Sequence, residues 1–86
     1  MTASRPALRQ VVLYTRPGCH LCDEAWRALD ALQVSLAFTL REVDIESDPE
    51  LERRFMLEIP VIEVDGEVVT QAPVELDAVR AVLSSH

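Results

Sequence analysis

Two cysteines at the start of a strongly patterned helix constrain this chain more than any other feature. Apolar residues 11–14 lead into a short Pro17-Gly18 loop, and Cys19 and Cys22 follow. A thiol at a helix N-terminus faces unpaired backbone N–H groups and the positive end of the helix dipole, and both stabilise a thiolate. The second thiol, almost one turn further along, is placed to attack and release a mixed disulfide.

The first half of the chain predicts a strand, a helix and a second strand. A helical period begins at His20 and continues to about residue 34, with this apolar face: Leu21, Ala25, Ala28, Leu29 and Leu32. Residues 38–45 predict a strand that is buried on both faces or carries a bulge, because its apolar residues change parity. Strand, helix and strand in this order imply a right-handed parallel crossover.

A capping signal opens the second half of the chain. Asp48 stands directly before Pro49, which predicts an N-cap followed by proline in the first helical position. We expect Leu51, Phe55 and Met56 on the inner face of this short helix. It must end before Pro60, because proline cannot continue a helix.

A hairpin and a last helix complete the predicted order of elements. Asp65-Gly66 between two alternating apolar runs predicts a two-residue type I′ turn. Glu63 and Glu67 are expected to face solvent and to protect the edge of the sheet. Residues 73–83 show the period of a final helix.

Length and charge limit the classes of protein to consider. Eighty-six residues make one domain, which we place at residues 10–86 after an N-terminal tail at residues 1–9. The net charge of −7 argues against nucleic acid or an anionic membrane as the main partner. No apolar run approaches the roughly 18 residues of a membrane span, and no signal peptide is visible. We therefore expect a cytoplasmic, reducing environment.

The element order β-α-β-α-β-β-α, with the cysteines at the first βα turn and Ile59-Pro60 before the third strand, resembles the thioredoxin fold. It resembles the smallest, glutaredoxin-sized form of that fold, over roughly residues 10–84. The sequences at residues 19–25 and 43–51 further resemble a bacterial glutaredoxin-like family of unassigned physiological role. This resemblance implies an α/β fold with a four-stranded mixed sheet.

The resemblance also implies roles for individual residues. Cys19 corresponds to the exposed nucleophile and Cys22 to the resolving thiol. Pro60 corresponds to a cis-proline that faces the cysteines, and the backbone of Ile59 would pair with an extended substrate. Arg16 corresponds to the lysine with which typical glutaredoxins help to hold the glutathione carboxylate.

Several positions depart from typical glutaredoxins. The glycine pair after the fourth strand is replaced by Thr70-Gln71, and the acidic pair that follows is replaced by Pro73-Val74. Glu58 replaces a threonine two residues before the proline, which puts an acid where an anionic tripeptide would dock. These departures argue against recognition of glutathione.

The favoured hypothesis is a dithiol thiol–disulfide oxidoreductase without a metal or organic cofactor. We expect a monomer that acts on a disulfide-containing protein or a small thiol substrate and is restored by an unknown reductant. His20 is a candidate substrate contact; as an imidazolium it would lower the Cys19 thiol pKa, or it faces solvent.

Three alternatives stay open at this point. In the first, the chain is a non-catalytic module that docks an extended peptide beside Pro60. In the second, it is a metal or iron–sulfur protein ligated by cysteine. A closed zinc site needs four ligands, and only His20 and His86 remain as further soft donors. In the third alternative the cysteines form an inert disulfide, which across so short a loop contributes only about 2 kcal/mol.

Overall fold

The computed structural model describes residues 8–84, which form one four-stranded sheet with helices on both faces. The strands are β1 (Arg9–Thr15), β2 (Phe38–Asp44), β3 (Val61–Val64) and β4 (Glu67–Gln71). The helices are α1 (His20–Leu32), α2 (Pro49–Phe55) and α3 (Leu76–Ser84), and a 3₁₀ turn spans Ile45–Ser47. The predicted order β-α-β-α-β-β-α is confirmed. Residues 1–7 of the predicted tail and residues 85–86 lie outside the described residues, and Arg9 already belongs to β1.

The sheet is mixed and has the strand order β2-β1-β3-β4. β1 and β2 are parallel, as the predicted crossover through α1 requires. β3 is antiparallel to both of its neighbours. The two central strands, β1 and β3, carry the most continuous apolar sequences, which is typical of strands covered on both faces.

Two apolar clusters lie on opposite faces of the sheet. The larger cluster joins α1 and α3 to the sheet through buried residues that include Leu13, Leu29, Ile62 and Val79. The smaller cluster lies under α2 and consists of these buried residues: Tyr14, Ile45, Phe55 and Val61. The cysteines therefore belong to the helix that packs on the larger cluster.

The predicted cap and hairpin are both confirmed. The Asp48 side chain accepts a hydrogen bond from the Glu50 backbone N–H at 2.9 Å, and Pro49 opens α2. Asp65 and Gly66 have φ values of 53° and 88°, the positive values that both central residues of a type I′ turn need. No helix in the described part of the chain is long and apolar enough to cross a bilayer.

Of the two alternatives for β2, the structure shows contact on both faces: β2 is an edge strand, its register to β1 is unbroken, and its apolar residues contact both clusters. Three other local expectations are corrected. Leu21 is 58% exposed rather than inward, because it precedes the point at which α1 meets the sheet. Met56 is 46% exposed because it follows the last residue of α2. The last helix begins at Leu76 instead of residue 73.

The prediction that Glu63 faces solvent is wrong. β3 is buried along its whole length, and the Glu63 side chain lies on the α2 face of the sheet at 8% exposure. The Tyr14 hydroxyl donates a hydrogen bond to Glu63 Oε1 at 3.0 Å. The alternation of apolar and polar residues could not show that Glu63 is buried. A buried carboxylate needs a hydrogen-bond partner, and the partner here, Tyr14, lies on another strand. Glu67, in contrast, is exposed as predicted.

We expect Tyr14→Phe to destabilise the protein by about 1–3 kcal/mol, because a buried acceptor loses its donor. Burial, then the hydrogen bond to Glu63, raises the pKa of Tyr14 above its ordinary value of 10.0. The stabilisation is therefore complete below the unfolded pKa of about 10 and is lost as pH rises through the higher folded pKa. Urea unfolding at neutral pH measures the loss.

Glu63→Gln is the control for this prediction, because the amide oxygen retains an acceptor for Tyr14. It should cost less than Tyr14→Phe. A change below about 0.5 kcal/mol for Tyr14→Phe, the range of ordinary surface substitutions, would contradict this interpretation of the pair.

Candidate active site

The loop between β1 and α1 places Cys19 at the tip of the helix. Gly18 has a φ of 78°, a left-handed conformation that glycine adopts without strain. Cys19 follows as the N-cap residue of α1, in an extended conformation, and its N–H donates to the Arg16 carbonyl at 3.3 Å. This confirms the predicted position of the first cysteine at a helix N-terminus.

The two cysteines form a disulfide and differ in accessibility. Their Cα atoms are 5.2 Å apart. Cys22 is 1% exposed, whereas Cys19 is half-buried. The Cys22 backbone N–H donates a hydrogen bond to Cys19 Sγ at 3.1 Å, the contact that would stabilise a thiolate there. Cys19 is therefore the sulfur that a substrate can approach.

Ile59 and Pro60 are joined by a cis peptide bond, and Pro60 is buried. The Ile59 N–H donates to the Phe55 carbonyl at 3.2 Å, at the end of α2. Pairing between Ile59 and an extended substrate would therefore use the Ile59 carbonyl oxygen rather than its N–H.

A second cis bond, between Ala72 and Pro73, was not expected from the sequence. The Ala72 N–H donates to the Glu58 carbonyl at 3.1 Å, so the segment before Pro60 and the segment before α3 are tied together. The sequence predicted that Pro73 begins the last helix. Proline is also common in the first turn of a helix, so its presence alone does not show that Pro73 lies before the helix.

A cavity of about 380 Å³ lies between α1 and these two proline segments. Its apolar walls include Leu21, Ala28, Pro60 and Val74, and Glu24 supplies a carboxylate. Neither cysteine lines the cavity, but Leu21, which does, directly precedes Cys22 in the chain. The sequence alone does not reveal this cavity, because its walls come from segments separated by more than thirty residues.

Arg16 lies in a different place from the apolar cavity. It lines a separate polar depression of about 320 Å³, where the carboxylates of Asp23, Glu42 and Asp44 also lie. Arg16 is exposed and shares this depression with residues of β2, whereas Pro60 lines the apolar cavity. Among residues 8–84, no three His, Cys, Asp or Glu side chains are grouped so as to hold a metal ion.

His20 lies at the surface of α1. Its side chain is 82% exposed, and Nε2 is 3.0 Å from Glu24 Oε2. Of the two interpretations of this residue, the solvent-facing one describes its position.

Solved structures of other proteins superimpose on this chain over most of its length. Protein Ne2328 from Nitrosomonas europaea superimposes with a TM-score of 0.82 and 28% identity, over 96% of this chain and 100% of that chain. Protein XcR50 from X. campestris superimposes with a TM-score of 0.68 and 34% identity, over 88% of this chain and 97% of that chain. The thioredoxin-like protein BC3987 superimposes with a TM-score of 0.62 and 22% identity, over 85% of this chain and 99% of that chain, which supports the thioredoxin-like fold alone. No curated protein matches the chain.

The family comparison covers nearly all of the residues that the structure describes. The matched residues, 10–84, include both cysteines, both cis-prolines and every strand and helix except the first residue of β1. The chain therefore belongs to the family of glutaredoxin-like domains (DUF836).

Proposed function

We propose that this protein is a dithiol thiol–disulfide oxidoreductase, with Cys19 as nucleophile and Cys22 as resolving thiol. The observation that carries the proposal is the asymmetry of the pair. Cys19 is the accessible sulfur at the N-cap of α1, and Cys22 is buried one turn behind it. Such a pair can exchange disulfides with a substrate and then close on itself.

The reaction begins from the reduced protein. The Cys19 thiolate attacks one sulfur of a substrate disulfide, so that a Cys19–substrate bond forms while the substrate disulfide breaks. The first substrate thiolate leaves and takes a proton from solvent. The Cys22 thiolate then attacks Cys19 Sγ, the Cys19–Cys22 bond forms, and the second substrate thiolate leaves. Two electrons pass from the protein to the substrate, and the product is the disulfide form described above.

The polypeptide itself supplies both reacting groups, so the proposed cycle uses no metal or organic cofactor. A thiol reductant attacks the oxidised pair at Cys19, which forms a mixed disulfide and releases the Cys22 thiolate; a second thiol of the reductant then breaks the mixed disulfide and restores the dithiol. We place this cycle in a reducing cytoplasm, with a monomeric protein and a disulfide-containing substrate. The cavity that begins at Leu21 argues against glutathione as the preferred substrate, because its walls are apolar and include Glu24.

Turnover tests this proposal. Catalytic amounts of the protein, with excess dithiothreitol as reductant, should accelerate the reduction of a small neutral disulfide such as hydroxyethyl disulfide well above the uncatalysed rate. Binding of peptides without any such acceleration would instead identify a non-catalytic peptide-binding module and would contradict the oxidoreductase.

A further inference from the structure

The apolar cavity is positioned to receive part of whatever reacts at Cys19. Leu21 lines it, lies between the two cysteines in sequence, and leaves 58% of its surface exposed. Pro60 forms part of the opposite wall, and Ala25 and Ala28 of α1 line it further along the helix. A group that fills the cavity therefore contacts Leu21, the residue bonded to Cys22, and Pro60.

The chemistry of the walls selects an apolar group. Leu21, Ala28, Val74 and Leu76 present hydrocarbon surface, and a volume of about 380 Å³ is in the range of small-ligand sites. Val74 and Leu76 also pack against the larger core cluster, which holds this wall in place. Glutathione has no apolar side chain apart from its cysteine, so these apolar walls would have no apolar group to contact.

The charged residue that lines the cavity is an acid, and two further acids neighbour lining residues through the backbone. Glu24 lines it directly, and Glu75 is exposed between two lining residues, Val74 and Leu76. Glu58, half-buried, is hydrogen-bonded through its carbonyl to Ala72, another lining residue. None of the residues that line the cavity is basic; His20 approaches Glu24 from outside it. This charge is complementary to a cationic group beside the apolar one.

We propose that the cavity binds an apolar side chain adjacent to the reacting cysteine of an extended polypeptide disulfide, with a basic residue beside it. This inference rests on the thiol–disulfide exchange proposed above and adds its substrate class. Leu21, Ala28 and Val74 then determine the apolar preference, and Glu24 determines the preference for positive charge.

A panel of short peptide disulfides tests the inference on the unmodified protein. Each peptide carries leucine or glycine next to its cysteine and lysine or glutamate beside that position, with dithiothreitol as reductant. The leucine peptide should show about tenfold higher kcat/KM than the glycine peptide, as expected when an apolar side chain enters an apolar pocket. The lysine peptide should exceed the glutamate peptide severalfold, and this difference should shrink at high salt.

Two variants assign these preferences to the cavity. Ala28→Leu fills it and should bring the leucine-to-glycine ratio close to one. Ala31→Leu is the matched control, because Ala31 is exposed on the same helix and does not line the cavity, so the ratio should be retained. Glu24→Gln should reduce the lysine-to-glutamate preference while the leucine preference persists.

The outcomes separate this inference from the proposed function. Rapid reduction of hydroxyethyl disulfide with equal kcat/KM for the leucine and glycine peptides would overturn the inference and leave the oxidoreductase intact. Faster reduction of glutathione disulfide than of the leucine peptide would also overturn it. So would a dimer in sedimentation experiments that Ala28→Leu dissociates, because the cavity would then bind a second copy of the chain. No reduction of any disulfide would overturn both proposals.

Discussion

Cys19→Ser is expected to abolish disulfide reduction, with a loss of about a thousandfold or more in kcat/KM. A serine hydroxyl at this pH is not a nucleophile for disulfide sulfur. Cys22 cannot replace the missing thiol, because only 1% of its surface reaches solvent. The assay is steady-state reduction of hydroxyethyl disulfide by dithiothreitol, with the uncatalysed rate subtracted.

The control for this loss is Ala31→Ser, at an exposed position on the same helix. This variant should keep its activity, and both variants should show the circular dichroism of the unmodified, reduced protein. Retention of full activity in Cys19→Ser, with the fold intact, would rule out the proposed nucleophile.

The second large effect concerns the attachment of α1 to the sheet. Leu29 is completely buried in the larger cluster, together with Leu13, Ile62 and Val79. We expect Leu29→Ala to destabilise the protein by about 2–5 kcal/mol, since it removes buried methyl groups and leaves a cavity. That is a large part of the total stability of about 5–15 kcal/mol for a typical domain. The melting temperature should fall by about 8–40 °C.

Urea unfolding measures this effect, and the midpoint should fall with little change in the slope. Val34→Ala is the control: it also shortens an apolar side chain near the end of α1, but Val34 is 90% exposed. It should change the free energy of unfolding by no more than about 0.5 kcal/mol. A loss below about 1 kcal/mol for Leu29→Ala would show that α1 is not held by this cluster.

Local signals in the sequence were sufficient to predict most of the helices, strands and turns. The Asp48-Pro49 cap and the Asp65-Gly66 turn each act through residues within a few positions, so their conformations follow from backbone preferences alone. The position of Cys19 at the helix start was likewise readable from the change in period after Gly18. These features fix the order of elements and the place of the cysteines.

Other features depend on contacts between distant segments and could not be read locally. Glu63 occupies a buried position because Tyr14, from another strand, donates a hydrogen bond to it. The apolar cavity forms where α1 meets the Pro60 and Pro73 segments, which are tied together by a backbone hydrogen bond between Ala72 and Glu58. The periodicity of apolar residues describes each segment by itself and contains no information about contacts between distant segments.

The central claim is that residue 19 attacks the substrate and residue 22 completes the reaction. Cys22→Ser isolates the first step, because the mixed disulfide can no longer be resolved within the protein. The reduced variant, freed of reductant and mixed with a peptide disulfide, should gain the mass of one half of that peptide in intact-protein mass spectrometry. Proteolytic mapping should place the added mass on Cys19. If no adduct forms under conditions in which the unmodified protein is oxidised, attack by Cys19 is contradicted.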